Sequence, residues 1–379
     1  MKIFLLITKA EVGGAQMSVL NLARGLKEKG EEVKVGFGEG EFLPEELKKA
    51  GIPYTRFKNL KRTHNPLANL FFIGEIKRYF DKNKYEVVHI NSSNALFAAL
   101  GAKLSKNKPK TVFTVHGMSM LDENYKKAPV LKAIYKIFFK FFFKFVDEPV
   151  FVSKHNLGLG KQLGLAKKEN LVYNGLAQTE LNFYTREEAR KKILPPLYKG
   201  RTEEGLKDFF LIGSIGRLAY QKNYEFLIEV FPEILKIKPN SLAIIIGDGP
   251  EKESLQNLIK EKELEDKIIL AGSIAGASKY LKAFDLFVLP SRYEGLSITL
   301  IETLFAGVSV LASDVGGNRE TLPSDQEIYG LEDKKDFLDK FQTLSPENTR
   351  EQISKQNLEH SNKFLLEKTL EGYQQIYNR

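Results

Sequence analysis

Apolar residues along the chain gather in short runs. Between the runs lie longer stretches in which they recur every three or four positions. In the first half the runs are KIFLLIT (2–8), EVKVGFG (32–38), YEVVHIN (85–91), KTVFTVH (110–116) and EPVFVS (148–153). In the second half they are FFLIGSIG (209–216), LAIIIGDG (242–249), KIILAG (267–272), FDLFVLP (284–290) and VSVLAS (308–313). Short apolar runs bounded by turn residues read as strands buried on both faces, and the stretches between them read as helical crossovers. Strand–helix alternation in both halves predicts an α/β protein with two doubly wound, Rossmann-like domains. No close sequence repeat relates the halves, so their likeness is one of architecture.

The alternation pauses after residue 180. The stretch REEARKKILPPLYKGRTEEGLKD (186–208) is charged, carries a proline pair and has no strand pattern, although 186–194 is compatible with a short helix. The expected domains are therefore 1–180 and 209–359, joined by a linker at 181–208. In the tail, 360–379, Phe364, Leu365, Leu370, Tyr373, Ile376 and Tyr377 follow a spacing that suits an amphipathic helix packed on another element.

A length of 379 residues, with 42% hydrophobic and 28% charged residues, supports two buried cores. The absence of cysteine excludes disulfides, thiolate metal sites and a cysteine nucleophile, and fits a reducing compartment. The opening apolar run of five or six residues is shorter than a secretory core and reads as the first strand. The net charge of +9 is uneven: residues 1–180 hold 30 Lys/Arg against 17 Asp/Glu, and the rest is slightly acidic. The basic half favours an anionic partner, whether nucleic acid, acidic membrane or phosphorylated substrate.

In open α/β sheets, ligands bind at the carboxyl ends of strands. Glycine and polar signals cluster there: GG (13–14), HG (116–117), GSIGRL (213–218), GDGP (247–250), AGS (271–273), SRYEGLS (291–297) and SDVGGNRE (313–320). Taken singly, each is ordinary turn chemistry. Taken together, they outline a site. Gly295, Leu296 and Ser297 stand where the chain enters a helix, whose free N–H groups and dipole favour a phosphate; Ser297 is equally a simple N-cap. Arg217 and Lys222 follow a strand and suit a diphosphate, or are a solvated pair. Glu302 lies about one and a half turns into the helix, where its carboxylate suits the vicinal hydroxyls of a ribose; dipole stabilisation is the simpler alternative. Glu294, in the preceding loop, falls on the other side of the phosphates.

Residues 209–320 resemble the nucleotide-sugar half of the retaining glycosyltransferases of family 4, which have the GT-B architecture. The matching pieces are GRLAYQKN, GDGP and LPSRYEGLSITLIETLFAGVSVLASDVGGNRE, with GGAQ, TVHG, VSKHN and VYNGL in the first half. The resemblance extends over roughly residues 1–320 and the returning C-terminal helix, which it assigns to the first domain. It implies that Glu302 binds ribose and that Arg217 and Lys222 neutralise the diphosphate. Gly13 and Gly14 would approach the phosphates, His116 and Glu294 would contact the transferred sugar, and the AGS turn with Ser273 would lie by the base. Residues 321–340 depart from the family pattern and imply a reduced last strand.

The implied reaction is retaining transfer of a hexosyl group from a nucleoside diphosphate sugar, UDP favoured and GDP possible. The acceptor would be a glycan or lipid-linked molecule in polysaccharide or glycolipid synthesis. No Asp-x-Asp occurs, so no metal and no cofactor beyond the sugar nucleotide is expected. In residues 131–146, LKAIYKIFFKFFFKFV, Lys132, Lys136, Lys140 and Lys144 recur every four positions among phenylalanines. This reads as a helix lying on an anionic membrane, with Phe139 and Phe142 inserted, or as a helix buried on one side. The expected location is cytoplasmic, peripheral at the inner face of the cell membrane. The alternatives are a GT-B-fold nucleotide-sugar epimerase and a basic nucleic-acid-binding protein; no RNP, KH or zinc-finger signature supports the latter, so nucleic acid is not an expected partner.

Overall fold

The computed structural model describes residues 1–63, 65–125, 129–197 and 209–379. The chain divides into two compact units, Met1–Ala177 with Phe364–Arg379, and Gln178–Lys363.

The first unit is built on a seven-stranded parallel sheet. Its strands are β1 (Lys2–Lys9), β2 (Glu32–Glu39), β3 (Tyr54–Arg56), β4 (Val87–Ile90), β5 (Lys110–Val115), β6 (Glu148–Phe151) and β7 (Asn170–Leu171), in the order β3-β2-β1-β4-β5-β6-β7. The six inner residues of β1 are all buried, as a central parallel strand requires when helices cover both faces. On one face the helix Gly14–Glu28 packs through Val19, Leu20, Leu22, Ala23 and Leu26 against Leu366, Leu370, Tyr373 and Ile376 of the helix Leu366–Tyr377. On the other, the helices Pro66–Lys82, Phe97–Leu104 and Pro129–Phe142 enclose an aromatic core around Phe4.

The C-terminal helix is tied into this unit by polar contacts that its sequence did not announce. The Tyr377 hydroxyl meets Nδ1 of buried His89 at 2.6 Å, and Nε2 of His89 meets the Thr114 hydroxyl at 2.6 Å. The Tyr373 hydroxyl joins Thr114 at 2.8 Å. Burial, helped by His116, lowers the His89 pKa to about 3, so the ring stays neutral and serves as a structural link. The expected single helix over 360–379 is in fact two: Glu347–Ser361 belongs to the second unit, and a short turn at Asn362–Phe364 separates it from Leu366–Tyr377.

The second unit has a six-stranded parallel sheet: β8 (Phe210–Ile215), β9 (Ser241–Ile246), β10 (Ile268–Gly272), β11 (Leu286–Leu289), β12 (Val310–Ser313) and β13 (Ile328–Tyr329). Its order, β10-β9-β8-β11-β12-β13, repeats that of the first six strands of the other sheet. β13 is two residues long, which is the reduced final strand implied by the polar 321–340 segment.

Two further differences from the sequence reading have physical causes. The short helix allowed at 186–194 runs Arg186–Leu197 and packs on the second unit, where a linker was expected. Its Arg190 donates to Asp285 at 2.5 Å, and Arg186 pairs with the same carboxylate. Positions 198–208 of that expected linker lie outside the described residues. In the helix Pro129–Phe142, Phe139 and Phe142 are buried, as is Phe143 just beyond it, all in the aromatic core. They are therefore unavailable for insertion into a membrane; the exposed face of this helix is a different one.

Candidate functional site

Strands β8 and β11 are neighbours at the centre of the second sheet, where strand order reverses. Helices leave such a pair in opposite directions and open a crevice at the carboxyl ends. Three loops meet there: 216–223 after β8, 290–297 after β11 and 314–317 after β12. The Arg292 N–H donates to the Gln221 carbonyl at 2.7 Å, and the Gly317 N–H to the Gly295 carbonyl at 3.0 Å. The Ser313 hydroxyl donates to the Ser291 carbonyl at 2.6 Å. Gly316 has φ +53, and a Cβ there would stand 1.9 Å from the Glu294 carbonyl oxygen. Only glycine lets the third loop lie this close under the second.

Lys222 and Glu294 form an ion pair at 2.6 Å, with side chains 14% and 7% exposed. The same Oε1 of Glu294 accepts from the Ser291 hydroxyl at 2.7 Å, and Gln221 reaches the other oxygen at 3.4 Å. Gly216 makes room for this lysine, since a Cβ on it would come within 3.1 Å of the Lys222 Cε. Arg217 is exposed at the end of β8.

Immediately after Glu294 the chain enters the helix Ile298–Ala306. Ser297 is its N-cap, accepting from the Leu300 N–H at 3.3 Å. Leu296 is buried. The N–H groups of Gly295, Leu296 and Ser297 have no hydrogen-bond partner among the described residues. With the first-turn N–H groups of the helix, they form an anion-binding terminus.

Glu302 sits on this helix, and burial pushes its pKa up to about 7; a hydrogen bond from Ser278 acts in the opposite direction. The neutral form therefore suits the fold. The stability this carboxyl contributes is complete below its ordinary pKa and is lost as pH rises through about 7. Hydroxyl donors placed against it would relieve that cost. Ser273 is exposed in the loop after β10, at the sheet edge, and the turn that follows it carries Ser278 to Glu302. Ser278 was missed in the sequence and stands in no motif, whereas Ser291 opens the SRYEGLS signal, and only its bond to Glu294 was not foreseen.

The first unit holds the other expected residues. Gly13 precedes the helix Gly14–Glu28, and His116 follows β5. His116 Nε2 meets Asn91 Oδ1 at 3.2 Å, and its Nδ1 is buried without a hydrogen-bond partner among the described residues. Burial lowers its pKa to about 4, which keeps the imidazole neutral near pH 7. Next to these residues lies a cavity of about 390 Å³ at the strand ends, lined by Lys9, Gln16, Arg62, Ser92, Gly117 and Tyr135 among others. Among the described residues no cluster of His, Cys, Asp or Glu has the form of a metal site.

Comparison with known proteins gives a consistent result. The model of a family described as Glycosyltransferase Family 4 matches residues 12–177, and that of Glycosyl transferases group 1 matches residues 200–360. The O-antigen biosynthesis glycosyltransferase WclY of Escherichia coli is 22% identical over all of this chain and 98% of its own. The UDP-Gal:alpha-D-GlcNAc-diphosphoundecaprenol alpha-1,3-galactosyltransferase of the same species is 28% identical over 62% of this chain and 60% of its own. Among solved structures, Anabaena Alr3699/HepE in complex with UDP and glucose superposes with a TM-score of 0.81 over 100% of this chain and 99% of that one, at 18% identity. At that identity the likeness concerns the fold.

Proposed function

Since the chain belongs to the family 4 glycosyltransferases and has their two Rossmann-like units, we propose that it transfers a hexosyl group, with retention, from a nucleoside diphosphate sugar to a lipid-linked or glycan acceptor. The donor favoured is a UDP-sugar, with a GDP-sugar as the second choice. The observation that carries this reading is one assembly in the second unit. A buried Lys222–Glu294 pair stands beside unpartnered N–H groups at a helix start, and a burial-strained Glu302 lies on the same helix.

Each part has a chemical task. The N–H groups of Gly295, Leu296 and Ser297, with Arg217 and Lys222, neutralise the diphosphate as it leaves, so no metal is required. Glu302 accepts the ribose hydroxyls, and Ser273 lies by the base. Glu294 and the neutral His116 hold hydroxyls of the transferred sugar, while Gly13 and Gly14 leave the backbone open to the phosphates. The leaving diphosphate takes the proton of the acceptor hydroxyl on the face it departs from. The galactosyltransferase relative is named for a diphosphoundecaprenol-linked acceptor. That supports a lipid-linked glycan here, met at the inner face of the cell membrane.

Calorimetry with UDP tests the reading. Glu302→Ala removes hydrogen bonds to a charged acceptor, about 1.5–3 kcal/mol, or about 10- to 150-fold in Kd. Ribose hydroxyls need the carboxylate form, so wild-type affinity should fall as pH drops through about 7. In the variant only the nucleotide's own titration should remain. Equal affinity in the two proteins at pH 8 would remove Glu302 from the site.

A further inference from the structure

Two helices of the first unit carry rows of exposed apolar side chains. On Pro129–Phe142 these are Val130, Ile134, Ile137 and Phe141, exposed by 70%, 56%, 69% and 48%. Their spacing, i, i+4, i+7 and i+11, places them on one stripe of the helix. On Pro66–Lys82 they are Leu67, Leu70 and Phe71, all above 60%. Neither row is a piece of unfinished core, because each helix already buries its other face: Phe139 and Phe142 on the first, Phe72, Ile73, Ile76 and Phe80 on the second.

The charge around the rows is predominantly positive. Residues 129–146 contain four lysines and no acid, and Lys136, Lys140 and Lys144 are exposed. Lys58, Lys61 and Arg62 are exposed just before the second helix. Asp122 and Glu123 precede the first helix, where their carbonyls accept from Lys132, and Glu123 is exposed; two other carboxylates are engaged elsewhere. Glu75 accepts from the N–H groups of Lys58 and Asn59, and Asp147 pairs with Lys103. The 390 Å³ cavity is bordered by Tyr135 and Phe139, on the side of the first helix away from its exposed row, and by Arg62 and Thr63 ahead of the second. Among the described residues no helix is long and apolar enough to cross a membrane.

We infer that these two rows seat the first unit on an anionic lipid bilayer. Apolar side chains enter the interface while the lysines beside them meet the lipid phosphates, the arrangement of an interfacial amphipathic helix. The inference deepens the lipid-linked acceptor reading and rests on it for what enters the cavity, but not for the docking.

Co-sedimentation with phosphatidylglycerol–phosphatidylcholine vesicles, against phosphatidylcholine alone, tests the docking. The wild type should bind the anionic vesicles at low salt and be largely released at about 1 M, where the screening length is about 3 Å. Ile134→Ser with Ile137→Ser should weaken binding on the order of tenfold or more. Lys136→Gln with Lys140→Gln should weaken it about fivefold per charge. Both variants should keep the wild-type melting temperature and UDP affinity. If the serine pair lowers the melting temperature, the glutamine pair still decides the question. Docking is overturned if the wild type ignores anionic vesicles at low salt, or if the variants bind as it does. It is overturned equally if the wild type is a dimer that the serine pair dissociates and no vesicle binding accompanies it. Vesicle binding without UDP binding would instead overturn the glycosyltransferase reading alone.

Discussion

Lys222→Ala is expected to lower sugar transfer by two to three orders of magnitude, the usual loss of about 2.7–4 kcal/mol when one donor to a developing oxyanion is removed. The lysine reaches its position because β8 ends in Gly216 and a tight turn, Tyr220–Lys222, aims the side chain into the crevice. In the free protein the ammonium is held by Glu294 at 2.6 Å. On the proposed reading, charge grows on the oxygens of the departing diphosphate, and this ammonium is the donor that meets it. UDP-sugar turnover measured with a soluble acceptor analogue should show the loss mainly in kcat. Lys222→Arg should restore part of it, since charge is kept while shape is not. Wild-type turnover should persist in chelator. Activity abolished by chelation and restored by a divalent ion would mean that a metal, not Lys222, neutralises the leaving group.

Asp285→Ala should cost the second unit about 3–5 kcal/mol, the range for removing one partner of a buried ion cluster. The Asp285 side chain is 4% exposed. It accepts from the Leu211 N–H at 2.6 Å, from Arg190 at 2.5 Å and from Arg186, with Arg350 at 3.7 Å. Its loss leaves three guanidinium groups, two from the helix Arg186–Leu197 and one from Glu347–Ser361, facing one another without a counter-charge. At about 2–4 °C per kcal/mol for a unit of this size, the melting transition should move down by roughly 6–20 °C. A scanning calorimeter that resolves the two units should show the shift in the second only, because none of these partners lies in the first. Asp285→Asn keeps part of the hydrogen bonding and should fall between.

That cluster also marks a limit of sequence reading. Arg186 and Asp285 are 99 residues apart, and neither stands in a recognisable motif. The segment around Arg186 therefore reads as a short helix in a charged linker, and its packing on the second unit is not legible. Local signals fared better. The buried runs gave all the long strands, because burial on both faces writes hydrophobicity without alternation. Tyr54–Arg56 and Asn170–Leu171, short strands toward the sheet edge and themselves polar, carry no such signal.

The helix Pro129–Phe142 was legible as a helix but not in its orientation. With lysines every fourth residue and apolar groups nearly everywhere else, periodicity cannot say which phenylalanines face inward. Tertiary packing chose Phe139 and Phe142 and left Phe141 outside. In the second unit, glycine and polar positions at strand ends marked Arg217, Lys222, Glu294 and Ser297 on one crevice. Gly316 was visible as half of a GG pair; its reason, that a Cβ there would stand 1.9 Å from the Glu294 carbonyl oxygen, was not.

The helix Leu366–Tyr377 packs on a unit whose other residues end at Ala177. A ribosome therefore completes Gln178–Lys363 before it makes the element that closes the first unit. Until then Val19, Leu22 and Leu26 lack their cover, and His89 lacks the tyrosine hydroxyl it meets in the finished fold. The second unit, contiguous in sequence, is free to fold first, although its strands are translated later. All seven strands of the first sheet are translated by residue 171, yet one of its faces waits for its covering helix until the whole second unit has been made.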